Sequence, residues 1–312
     1  MNDPRAGRQT AGHGETDALQ RFVFERARVR GELVRLDEAW REVRRRREYP
    51  VAVRSALGEL TAASVLLAAT VKFDGGGLVL QIQGGKPVDL LVVECQPDLT
   101  LRAMARWDGG LSALGPQPTL HDLASGGRCA LTIDPGPGRA AYQSVVPLEG
   151  RTTAQVLERY MARSEQIGTL LALAAGDDRA AGLLLQRLPD VGGKPQPDAD
   201  PDLWNRVGHL AATLTRQELL ELPGREILRR LFHEEDLRLF ESMPVRFACR
   251  CSRERVAGVI RMVGAEEVRH ATAEKGEMTV TCEFCGHAYT FTRAEAERAL
   301  ADVQGKTPER AG

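Results

Sequence analysis

A chain of 312 residues is too long for one small core and has room for two or three compact units. Its 43% hydrophobic and 27% charged residues are ordinary for a soluble globular protein and exclude the fibrous and disordered classes. A formal net charge of −1 leaves no global attraction to nucleic acid or to an anionic membrane.

Residues 1–16 are polar and glycine-rich without an apolar core, which reads as a disordered lead-in and as neither a signal nor a transit peptide. From Leu19 to Leu36 apolar residues partly alternate with charged ones, the period of half-buried strands: Phe22 and Phe24, then Val29, Gly31 and Leu33. Asp37 has the character of a helix cap, ahead of a helix over 38–48 that stops before Pro50. The arginines at 41 and 44–47 fall in its last turns, where they complement the helix dipole, and read as a solvated helix end. A second helix over 51–71 carries Ala56, Leu60, Ala63, Leu66 and Leu67 at helical spacing and should be a core helix. Its most apolar stretch, 62–71, is too short to span a membrane.

Three β-rich runs, 78–83, 88–95 and 99–107, separated by turn residues, predict an antiparallel sheet. Strands over 130–133 and 142–147 flank the turn at 135–138, a helix covers 153–165, and 170–175 with 181–188 form a closing pair. The Pro-, Gly- and Asp-rich stretch 189–201 then marks a boundary. The expected class is α+β: a mainly antiparallel sheet body packed with helices (17–190), a helical linker (191–243) and a small C-terminal zinc-binding module (244–312). The linker starts flexibly and continues as helices over 202–222 and 223–233, with Leu210, Leu214, Leu219, Leu220, Ile227, Leu228 and Leu231 on their buried faces.

Cys249-Arg-Cys251 is followed, after 30 intervening residues, by Cys282-Glu-Phe-Cys285-Gly286. Two close pairs suit a tetrathiolate site, so Cys249, Cys251, Cys282 and Cys285 are the predicted ligands of one Zn²⁺ per chain. Arg250, Arg253 and Arg255 are placed to offset its negative charge. One residue between Cys249 and Cys251 also makes a disulfide within that pair strained and easily reduced. Spacing alone leaves a permanent zinc staple and a redox switch equally open. Four sulfurs leave no position for an activated water, against hydrolytic zinc catalysis, and His287 is an alternative to one sulfur.

A dithiol oxidoreductase motif would open a helix, whereas this Cys-x-x-Cys interrupts the β-like run 278–291. A zinc ribbon that binds RNA is the rival reading, although six acidic and six basic side chains from Cys249 to Thr292 give it no electrostatic footprint. Cys95 and Cys129 lie in apolar β-like surroundings and read as core residues. No phosphate loop, nucleophile elbow or further histidine ligand spacing is present, so no enzyme is expected. Six cysteines without an export signal point to the cytoplasm.

These residues resemble the redox-regulated heat-shock chaperones called 33 kDa chaperonins. The likeness rests on Phe247-Ala-Cys-Arg-Cys-Ser-Arg-Glu-Arg-Val256 and Val280-Thr-Cys-Glu-Phe-Cys-Gly286 with Tyr289 and Phe291. It extends through Leu19-Gln-Arg-Phe22, Val29-Arg-Gly-Glu-Leu33, Leu90-Leu-Val-Val-Glu-Cys95, Tyr142-Gln-Ser-Val-Val-Pro-Leu-Glu149 and Arg163-Ser-Glu-Gln166. At Ile167-Gly-Thr169 the family more often has Leu-Pro-Thr, which touches a loop. The resemblance implies an ATP-independent holdase, inactive while reduced and zinc-bound. Oxidation would pair Cys282 with Cys285 and Cys249 with Cys251, expel zinc and unfold module and linker. It further implies unfolded client proteins as partners and a homodimer on oxidation, with no nucleic acid and no membrane.

Overall fold

In the computed structural model, which describes residues 16–25, 27–71, 75–136, 138–189 and 200–301, contacts divide the chain into one unit ending at Ala248 and another beginning at Cys249. The lead-in expected over 1–16 lies, but for Thr16, outside the described residues, as does the start of the linker at 190–199.

Two sheets make the first unit. One runs Leu237–Leu239, Ala18–Phe24, Val29–Leu36, Ala180–Arg187, Thr169–Ala175, antiparallel throughout, with Met243–Pro244 also on Ala18–Phe24. The other runs Arg246–Phe247, Thr100–Trp107, Lys86–Cys95, Gly77–Gln83, Arg128–Asp134, Tyr142–Pro147, and only its first pair is parallel. The α+β class and the antiparallel bias are as expected. Residues 237–247, read from sequence as linker and module entry, supply strands to both sheets, because each sheet has an edge whose backbone groups need partners.

Helix Val51–Thr70 packs against both sheets and has 13 buried residues among its 20. A helix apolar on every side needs apolar neighbours on every side. It has the length and apolarity of a membrane span, but here its surface is taken up by the two sheets. Small side chains bring the layers close: a Cβ on Gly58 would stand 2.4 Å from the Cβ of Ala175 and 3.0 Å from the Trp40 ring. The hydroxyls of Thr61 and Ser64 are satisfied in place by the carbonyls of Leu57 (2.7 Å) and Leu60 (2.8 Å).

The first helix is shorter than expected, Glu38–Arg45, and Asp37 does not cap it. Asp17 does, accepting from the backbone N–H groups of Asp37 (3.0 Å), Glu38 (2.9 Å) and Ala39 (2.8 Å). This frees the nearly buried Asp37 carboxylate to pair with the Arg179 guanidinium (2.6 Å). The helix expected over 202–222 is two, Leu203–Ala212 and Arg216–Glu221. Thr215 and Glu218 cap one another's backbone N–H groups, and that reciprocal box starts a new helix. The third, Gly224–Phe232, follows Pro223. Over 153–165 the α-helix ends at Tyr160 and continues as a wider turn, Met161–Glu165, closed by Gln166 at φ 57°.

The three helices roof the outer face of the first sheet in a second core. Phe22, Phe24, Leu33, Leu183 and Leu185 meet Val207, Leu219, Ile227, Leu231 and Phe232 there. The Phe232 ring stands edge-on to Phe24 at 5.2 Å and 6.2 Å from Phe22, whose ring fills the space a Cβ on Gly31 would need.

Glu32, on the strand Val29–Leu36, is 2% exposed, and its Oε2 has no hydrogen-bond partner among the described residues. Burial pushes its carboxyl up to about 7, against the opposing pull of Arg30 and Arg21. The unfolded chain ionises near the ordinary value, so between about pH 4.5 and 7 the folded protein holds a proton that the unfolded chain has lost. Stability therefore falls as pH rises through that window, by on the order of 3 kcal/mol in total. Glu32→Gln is expected to remove this dependence, so that urea melts show it gaining on wild type at pH 8 relative to pH 5; a constant difference across that range would refute the assignment.

Candidate metal centre

The second unit holds helices Arg253–Val263, Ala265–Thr272 and Arg293–Ala301 and the hairpin Glu277–Thr281/Ala288–Thr292. Its apolar core is small: Val256, Ile260, Val268, Phe291, Ala296 and Ala299. A unit of this size can bury only modest apolar area. Around this core the polar ends are tied off locally. The Ser252 hydroxyl accepts from the Arg255 N–H (3.3 Å), and Glu295 accepts from the Thr292 N–H (2.9 Å) and the Arg253 guanidinium (2.9 Å).

Cys282 and Cys285 sit at the hairpin tip. The Cys282 N–H donates to the His287 carbonyl (2.9 Å) and the Gly286 N–H to the Cys282 carbonyl (2.8 Å), a turn that Gly286 completes at φ 73°. Cys249 and Cys251 come from the segment ahead of helix Arg253–Val263. The structure brings all four together: their sulfurs lie within 4.8 Å of one another, with Cys249–Cys282 at 3.7 Å and Cys251–Cys285 at 3.4 Å. A tetrahedral ion with thiolates at 2.3 Å has edges of about 3.8 Å, so four sulfurs at this spacing fit a metal ion.

His287 stays out of the group. Its ring packs edge-on against Tyr289, with centroids 4.5 Å apart. Arg253 lies over the Phe291 ring (4.2 Å) and pairs with Glu295, and Arg255 donates to the Arg250 carbonyl (2.9 Å). The Tyr289 hydroxyl donates to Cys251 Sγ at 3.2 Å. Sequence reading carried Tyr289 only as part of a motif; its place in the strand four residues beyond Cys285 is the signal that turns it toward the sulfurs. At Cys251 burial opposes ionisation, but the hydrogen bonds from Tyr289 and the neighbouring thiols prevail and bring the thiol down to about 7. Burial takes Cys285 up to about 12. Cys95 and Cys129 are core residues, and burial raises each to about 12, leaving them protonated and inert.

The chain is similar over nearly its whole length to known proteins. It is 47% identical over 284 residues to the 33 kDa chaperonin of Methylobacillus flagellatus, covering 91% of this chain and 94% of that one. It is also 47% identical over 283 residues to the 33 kDa chaperonin of Chromobacterium violaceum, with 90% and 93% covered. The crystal structure of the 33 kDa chaperonin (heat shock protein 33 homolog) from Thermotoga maritima has the same fold, with a TM-score of 0.73 at 20% identity, covering 93% of this chain and all of that one. The family model described as Hsp33 protein matches residues 17–292, and the chain belongs to the Hsp33 family.

Proposed function

We propose that this protein is an ATP-independent chaperone, a holdase, switched on by oxidation of its cysteine tetrad. The observation that carries the reading is four thiols at tetrahedral spacing in a unit with a very small apolar core. Zinc suits an all-sulfur, closed site, and structural zinc contributes about 10–16 kcal/mol to folding small metal-bound units. A unit held mainly by its metal is lost when its ligands are oxidised.

In this proposal the reduced, zinc-bound protein is inactive. A peroxide then oxidises Cys282 with Cys285 and Cys249 with Cys251; each pair of thiolates gives up two electrons, and one peroxide with two protons leaves as two waters. With no thiolate left, zinc departs and the unit unfolds. The helices Leu203–Ala212, Arg216–Glu221 and Gly224–Phe232 then lift off the first sheet and expose the apolar face under them to unfolding clients. A cavity of about 260 Å³ already opens there, lined by Leu170, Ala172, Leu183, Gly208 and Leu214 with Glu158. The same face would join two oxidised copies as a homodimer. Binding and release of clients asks for no catalytic residue, and reversible oxidation fits a cytoplasm that keeps the tetrad reduced at rest.

The test follows zinc release and suppression of client aggregation together, during peroxide treatment at mildly raised temperature. About one zinc per chain should leave as activity appears, and a thiol reductant should reverse both. Zinc retention, or activity indifferent to oxidant, leaves a permanent staple; a salt-sensitive RNA complex of the reduced protein selects the zinc-ribbon reading.

A further inference from the structure

We infer that Tyr289 is a positioning residue that sets the oxidation threshold of the tetrad by holding a hydrogen bond on the sulfur of Cys251. This rests on the switch reading above and names the regulation of that same site. Tyr289 stands opposite Val280 in the hairpin, on the arm that carries Cys285, and its hydroxyl reaches the sulfur of the other cysteine pair at 3.2 Å. It is thus a bond between the two halves of the site. Its ring is held in place by the edge contact with His287 and by packing on the small core of the unit.

The donors on Cys282 and Cys285 are of a different kind. Backbone N–H groups of Phe284 and Cys285 face Cys282, and that of His287 faces Cys285. These are bound to the turn itself, whereas the donor on Cys251 is a side-chain oxygen that one substitution deletes. A hydrogen bond to a metal-bound thiolate takes electron density from the lone pair that would attack an oxidant, and second-shell donors of this kind tune metal sites. The bond from Tyr289 therefore slows the attack of Cys251 on an oxidant.

The chemistry begins at one thiolate of the four. Its sulfur attacks the peroxide, an S–O bond forms, the O–O bond breaks, and hydroxide leaves and is protonated to water. A neighbouring thiolate then attacks the sulfenic sulfur; S–S forms, S–O breaks, and the oxygen leaves with protons as a second water. Two electrons have passed from sulfur to peroxide.

Tyr289→Phe keeps the ring and its contact with His287 and removes one oxygen. Peroxide-driven zinc release should speed up by about three- to tenfold, the span expected for one hydrogen bond to sulfur. Trapping of free thiols at early times, followed by mass spectrometry, should find Cys251 modified sooner than in wild type. In the cobalt-substituted protein the sulfur-to-cobalt charge-transfer bands should move to lower energy while the tetrahedral d–d bands keep their intensity, a change that loosened packing would not produce. Thr290→Val, which removes the Thr279–Thr290 hydroxyl contact (3.2 Å) from the same strand, should leave all three unchanged. Unshifted bands with wild-type release and labelling order overturn the assignment. Should wild-type protein keep its zinc under peroxide, the switch reading falls, and the cobalt spectrum still decides for or against the hydrogen bond.

Discussion

Cys285→Ser is expected to abolish tight metal binding and to unfold the unit that begins at Cys249, while the first unit stays folded. A core of six buried residues leaves a unit of this size marginal without a staple. On the proposed zinc site, ligation would be that staple, and loss of one thiolate of four would remove much of about 10–16 kcal/mol. The first unit has its own two cores, independent of these sulfurs, around Val51–Thr70 and under the helices 203–232.

Limited proteolysis should therefore cut freely beyond Ala248 and spare the sheets, and zinc analysis should find the variant empty. A variant still protected over 253–301 would show that packing alone holds this unit and that the metal is dispensable to its fold.

Phe232→Ala is expected to cost about 3–5 kcal/mol and to make the reduced, zinc-bound protein a partial holdase. Phe232 is 1% exposed and meets both Phe24 and Phe22, so truncation leaves a cavity between the third helix and the sheet. The neighbours cannot collapse into it, because the Phe22 ring is already committed to the space over Gly31. The loss falls on the layer that covers the apolar face, and local opening draws first on the weakest cooperative layer. Hydrogen exchange should thus rise across 203–232 well before it rises in Val51–Thr70. Aggregation assays without oxidant should register the exposed face. A variant that is destabilised yet inactive until oxidised would mean that lifting this layer is not what exposes the client surface.

Much of the site was legible before any coordinates. Four cysteines in two close pairs, interrupting a hairpin pattern with glycine after the last, specify sulfur ligation locally, because a knuckle is a short-range turn. Tyr289 was visible as a residue but not as a hydrogen-bond donor, since that depends on which way the hairpin presents it to a cysteine 38 positions earlier.

The sequence by itself determined which residues are buried and in what local form. Alternation and β-rich runs marked the strands, apolar residues at helical spacing marked the helix Val51–Thr70, and the charge-rich run 202–222 read as one helix where the reciprocal cap of Thr215 and Glu218 makes two. Only the tertiary structure decided the pairings: Val29–Leu36 with Ala180–Arg187, Leu237–Leu239 on the edge beside Ala18–Phe24, and Asp17 as the cap of a helix twenty residues on. Periodicity reports that a face is buried, but not against what. Partners are chosen by backbone hydrogen bonds and side-chain volumes that meet only when distant segments of the chain are brought together.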